Sequence, residues 1–150
     1  MRDMLHRAVM VSKARLDLGV GALNGDLGSV LACCMQMSIR GFMTGALVWD
    51  SGWFMEVLEG EKAALESFWN TVADDPRHSH PQRLEFVPLL KREYQTWSVG
   101  TPRRGVANHG LLRSLRSSVP TAGEVRTHVR TVIATGCVAE SPPLVCAASV

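Results

Sequence analysis

Apolar residues along this chain change rhythm several times, and each change predicts an element. Residues 7–12 (RAVMVS) form a short β-branched run and read as a strand. Over 23–37, Leu23, Leu27, Val30, Leu31 and Cys34 recur at helical spacing, although Gly25 and Gly28 weaken that helix. Residues 42–49 (FMTGALVW) and 53–58 (WFMEVL) read as two strands joined by the tight-turn signal Asp50-Ser51-Gly52. Glu59-Gly60 closes the second of them. Residues 61–73 predict an amphipathic helix with Leu65, Phe68, Trp69 and Val72 on one face, stopped at Asp74-Asp75-Pro76. Residues 84–90 read as a strand that Pro88 confines to an edge or a bulge, and 94–99 as a further strand.

The order β-α-β-β-α-β, with room for a fifth strand, predicts an α+β ferredoxin-like fold. Residues 109–118 and 122–135 look helical, and these two C-terminal helices are expected to cover the second face of the sheet. Residues 140–150, with Pro142-Pro143 and many small side chains, read as a frayed tail. The expected organisation is therefore a domain over 1–104, a helical extension over 105–138 and a flexible tail over 139–150.

Composition narrows the function. A chain of 150 residues supports one core. The formal net charge of +2 makes no electrostatic case for nucleic acid. No apolar run approaches the ~20 residues of a membrane-spanning helix. Charge is unevenly spread: residues 1–100 sum to −2, whereas 101–150 carry six arginines against Glu124 and Glu140. Such a basic region suits an acidic partner or a phosphate, although a solvated helix face is its commoner meaning. Cys33 and Cys34 are adjacent, which is not a metal-ligand spacing, and charges interrupt the N-terminal apolar stretch, unlike a signal peptide. Free thiols in a reducing cytoplasm are expected. There is one tyrosine, Tyr94, so any mechanism that needs a phenol has one candidate.

Several motifs then occur in order. Met43-Thr44-Gly45-Ala46-Leu47 is followed by Gly52, Phe54, Leu58, Glu59 and Gly60, and next by Asp75, Arg77 and His78. Arg92-Glu93-Tyr94 and Trp97-Ser98-Val99 lie downstream, Met10-Val11-Ser12 and Ala14-Arg15-Leu16 upstream. In this order and at these gaps, over roughly residues 5–100, the chain resembles the BLUF family of flavin-based blue-light sensors. The resemblance implies the ferredoxin-like fold reached above, with the isoalloxazine ring of FAD on the sheet between two helices. It also implies three photochemical residues: a tyrosine on the first strand, an asparagine before the second and a glutamine on the third. The matching positions here are Met10, Ser38 and Glu56. Arg40, Arg77 and His78 fall where the family's basic residues meet phosphate or ribose; pairing with Asp74 and Asp75 at a helix end is the plainer reading of the latter two.

Each change alters the chemistry. A phenol can be oxidised and both donates and accepts a hydrogen bond, whereas the Met10 thioether is only a weak acceptor. A serine hydroxyl at 38 cannot make the two-point contact of an amide, and losing such an anchor costs about 1–3 kcal/mol. Phe54, Glu56 and Leu58 share a strand face that reads as core. A buried carboxylate there is costly or protonated, and only the protonated acid imitates glutamine as donor and acceptor. Trp53 and Trp97 remain as oxidisable side chains.

The expected function is a regulatory, non-enzymatic BLUF-like module that has lost flavin photochemistry, holds no cofactor, and acts through protein contacts. The basic C-terminal helices (Arg113, Arg116, Arg126, Arg130) and the sheet face are the expected contact surface, and a homo-oligomer is expected from the resemblance. The alternative is an FAD-binding photoreceptor of altered photochemistry. A soft-metal or small-molecule sensor built on Cys33, Cys34, Met35, Met37, Met43 and Met55 is a further reading, against which stands simple space-filling by methionine. No nucleophile–base pair and no phosphate loop point to an enzyme.

Overall fold

The run from Leu5 to Ala14 carries apolar side chains on both of its faces, and it becomes the interior strand β1. In the computed structural model, which describes residues 4–14, 36, 43–74, 78–102 and 120–140, the later elements are β2 (Thr44–Asp50), β3 (Trp53–Glu61), α1 (Lys62–Asp74), β4 (His78–Pro88), β5 (Trp97–Thr101), α2 (Ala122–Thr135) and β6 (Cys137–Glu140). Apart from residue 36, which is helical, the expected helix over 23–37 lies outside the described residues, as do the helix over 109–118 and the tail from 141 onward.

The six strands run in the order β4-β1-β3-β2-β5-β6. The β2–β5 pair is parallel and the others are antiparallel. β3 inserted between β1 and β2 is the mark of the split ferredoxin-like sheet that the element order predicts. The β2–β3 hairpin turns at Ser51 and Gly52, both at positive φ (51° and 85°), the geometry that matches the twist of the flanking strands. Gly45, at φ 144°, lies against the Val57 carbonyl so closely that no side chain fits there.

Strand alternation sorts the core into two layers. Ala8, Met10, Leu47, Phe54, Leu58 and Trp97 pack against Leu65, Phe68 and Val72 of α1. Val9, Val11, Ala46, Val48, Met55 and Val57 pack against Val125, Val129 and Val132 of α2 on the other face. Each such buried aliphatic or aromatic side chain contributes about 1.5–3 kcal/mol. Two covered faces explain why these strands read as nearly unbroken apolar runs. α2 begins with a reciprocal capping box, Thr121 Oγ1 accepting from the Glu124 amide and Glu124 Oε1 from the Thr121 amide, each at 3.1 Å.

Four details differ from the sequence expectation. β4 starts at His78, earlier than residue 84, because it pairs only with β1; an edge strand tolerates Pro81 and Pro88. β5 starts at Trp97, later than residue 94, because the amides of Glu93 and Tyr94 are held by a side chain and not by a strand. Glu59-Gly60 does not close β3, which runs on to Glu61. Residues 137–140, expected as the end of the helical extension and the start of the tail, form β6 on the free edge of β5.

Candidate functional site

β1 and β3 place Met10 directly opposite Glu56, and β2 places Leu47 on the other side of Glu56. Met10 and Glu56 are each 3% exposed and lie under α1. The Glu56 Oε2 atom is fully buried and has no hydrogen-bond partner among the described residues. Burial raises the Glu56 pKa to about 8, so the side chain is a neutral acid near pH 7. A neutral carboxyl offers one O–H donor and one carbonyl acceptor. Met10, Phe54, Glu56, Trp69, Val72 and Pro81 bound a depression of about 180 Å³, no part of it wide enough for a water molecule. Trp69 is half-buried on its rim, with the Arg83 guanidinium 5.6 Å from its ring centre.

Of the other site residues read from the sequence, Ser38, Arg40 and Arg77 lie outside the described residues, and His78 is described only as the first residue of β4. The candidate electron donors separate: Trp97 shares the Met10 face, whereas Trp53 packs on the opposite face. Tyr94 also packs on that opposite face, so the sole tyrosine does not replace the missing phenol. Of the candidate soft ligands, Met43 lies with Met10 and Met55 against α2, whereas Cys33, Cys34, Met35 and Met37 lie outside the described residues. Among the described residues no three of His, Cys, Asp and Glu come together as metal ligands.

Two polar constructions were not legible in the sequence. Glu59 is fully buried, and its carboxylate accepts from the amides of Glu93 (2.9 and 3.1 Å) and Tyr94 (2.7 Å). Arg92 Nη1 donates to Thr44 Oγ1 and to the Glu59 carbonyl, each at 2.8 Å. The motif residues Thr44, Glu59 and Arg92 therefore fasten the β4–β5 loop to the sheet. Their partners lie 33 to 48 residues apart, beyond any local spacing signal. Asp50, at the hairpin, and His128, on α2, form a buried pair with Nε2 and Oδ2 2.8 Å apart, tying the C-terminal helix to the sheet.

This ferredoxin-like sheet is a fold shared with solved proteins. A sheet match to BlrB, a BLUF protein in its dark state, has TM-score 0.62 at 19% identity and covers 87% of this chain and 99% of that one. A bacterial light-regulated adenylyl cyclase matches with TM-score 0.59 at 19% identity, covering 85% of this chain and 34% of that one. In sequence, the photoactivated adenylate cyclase subunit beta of Euglena gracilis is 28% identical over 75 residues, 49% of this chain but only 9% of the relative. The profile of the family "Sensors of blue-light using FAD" matches residues 5–100, and the chain belongs to the BLUF family.

Proposed function

We propose that this chain is a BLUF signalling module that works through protein contacts without the family's tyrosine-dependent photocycle. The observation that carries this reading is the Met10–Glu56 pair: a thioether and a buried neutral acid stand across β1 and β3 where the resemblance puts a phenol and an amide. The residues present do not fit that chemistry. Met10 supplies neither an electron-rich phenol nor a hydroxyl. The similar proteins include light-regulated and photoactivated adenylate cyclases, which supports an effector protein as the partner, met through the C-terminal helical region and the sheet. The same reading takes the module as non-enzymatic, cytoplasmic and self-associating, with its sheet domain over 1–104 and the extension after it.

One observation favours a second reading. Neutral Glu56, its Oε2 without a partner among the described residues, can donate and accept as a glutamine does, which would suit the polar edge of a flavin. A visible absorption spectrum of the protein as purified, recorded before and after blue illumination, decides between them. No flavin band supports the first reading. A flavin band with a light-induced red shift overturns it.

A further inference from the structure

A second space lies on the opposite face of the sheet from Glu56. Glu93, Tyr94, Arg130, Ile133 and Ala134 line an open cleft of about 420 Å³ between the β4–β5 loop and α2. That volume is within the ~300–1,000 Å³ of small-ligand sites. Helical spacing builds one wall from Arg130, Ile133 and Ala134, and Arg126 stands one turn earlier on the same stripe of α2, 4.0 Å from Glu93.

The charges along this wall are only loosely matched. Arg7 has a close partner in Glu85, at 2.9 Å. The Glu93 carboxylate stands 3.8 Å from Arg7, 4.0 Å from Arg126 and 3.8 Å from Arg130, all longer than a hydrogen bond. Glu59, the other acid beside Tyr94, already accepts from the amides of Glu93 and Tyr94. Among the described residues neither Arg126 nor Arg130 makes a hydrogen bond, yet only 29% of the Arg126 side chain is exposed. Two guanidinium groups, each with five N–H donors in a planar fork, thus share one distant carboxylate at the edge of an apolar wall. Burial raises the Tyr94 pKa, so its hydroxyl stays a neutral donor on that wall.

We propose that this cleft binds an organic anion, with a carboxylate held by Arg126 and Arg130 and an apolar body lying against Tyr94, Ile133 and Ala134. Glu93 then acts as the internal occupant that the ligand's carboxylate displaces. The site is separate from the Met10–Glu56 face, so it stands or falls independently of whether a flavin binds there.

The probe is 3-phenylpropionate, titrated into the full chain and followed by amide and side-chain NMR shifts, with 3-phenylpropanol and inorganic phosphate as controls. Saturable shifts centred on Tyr94, Arg130 and Ile133 are expected with the carboxylate alone. Arg130→Gln, at a side chain 67% exposed and so dispensable to the fold, is expected to weaken binding about tenfold. Glu93→Gln is expected to tighten it several-fold by removing the competing carboxylate, an effect that a purely structural role for Glu93 would not produce. Equal binding of the alcohol, equal binding of phosphate, or no saturation by about 20 mM probe overturns the proposal.

Discussion

Replacing Glu56 with glutamine isolates the energetic consequence of a buried acid in the sheet. The folded protein holds the Glu56 proton up to a pKa of about 8, whereas the unfolded chain releases it near the ordinary value of 4.5. The folded state therefore binds more protons between these limits, and stability falls as pH rises through this window. Below about 4.5 the side chain is neutral in both states and folding is not penalised; above about 8 it is ionised in both and the loss is complete. At about 1.4 kcal/mol per pH unit, the deficit is on the order of 3 kcal/mol at pH 7 and 5 kcal/mol at pH 9. Glu56→Gln cannot ionise and keeps nearly the same shape, so it escapes this penalty. The difference in Tm between variant and parent is expected to be small near pH 4.5 and to grow to roughly 6–12 °C at pH 7, given about 2–4 °C per kcal/mol for a chain of this size. Thermal melts by circular dichroism across this range measure it, and other titrating groups cancel in the difference. Parallel Tm curves for the two proteins from pH 5 to 8.5 would refute the reasoning, because they would mean that the carboxyl is hydrated or paired in the folded state.

Other perturbations test the polar fastenings and the tight backbone approach. Glu59→Ala strands the amides of Glu93 and Tyr94 without an acceptor, and urea denaturation is expected to show a loss of about 3 kcal/mol or more; Glu59→Gln, which keeps one acceptor oxygen, is expected to lose about half as much. His128→Leu leaves Asp50 buried opposite an apolar side chain and is expected to cost about 3 kcal/mol. Adding Asp50→Asn to it is expected to cost less than the sum of the two single changes, read from a double-mutant cycle in urea. Gly45→Ala drives a methyl group into the Val57 carbonyl at a backbone angle alanine avoids, so a loss above about 4 kcal/mol and little folded protein in the soluble fraction are expected.

Much of the fold is written locally. The hairpin was legible because Asp50-Ser51-Gly52 separates two apolar runs by a turn that needs positive φ. The C-terminal helix was read over its full length, 122–135, and in the structure its valines line one stripe behind a Thr-x-x-Glu cap. The core face of Glu56 followed from its two-residue spacing to Phe54 and Leu58. β6 was not legible: four residues carry no periodicity, and what recruits them is the unpaired edge of β5. The roles of Glu59 and Asp50 were not legible either, since nothing local distinguishes a buried carboxylate with distant partners from a solvated one.

The sequence by itself determined the order of β1 to β5, α1 and α2, the kinship with BLUF domains and the replacement of the family's phenol by Met10, because these depend on residue identity and short-range spacing. Tertiary structure alone decided that Tyr94 lies on the far side of the sheet from Met10, that Glu56 has no partner for Oε2 among the described residues, and that Arg130 borders a cleft with Glu93, with Arg126 beside them. Those properties depend on which distant segments meet and how much water they exclude, and both are set only when the chain closes its two layers on the sheet.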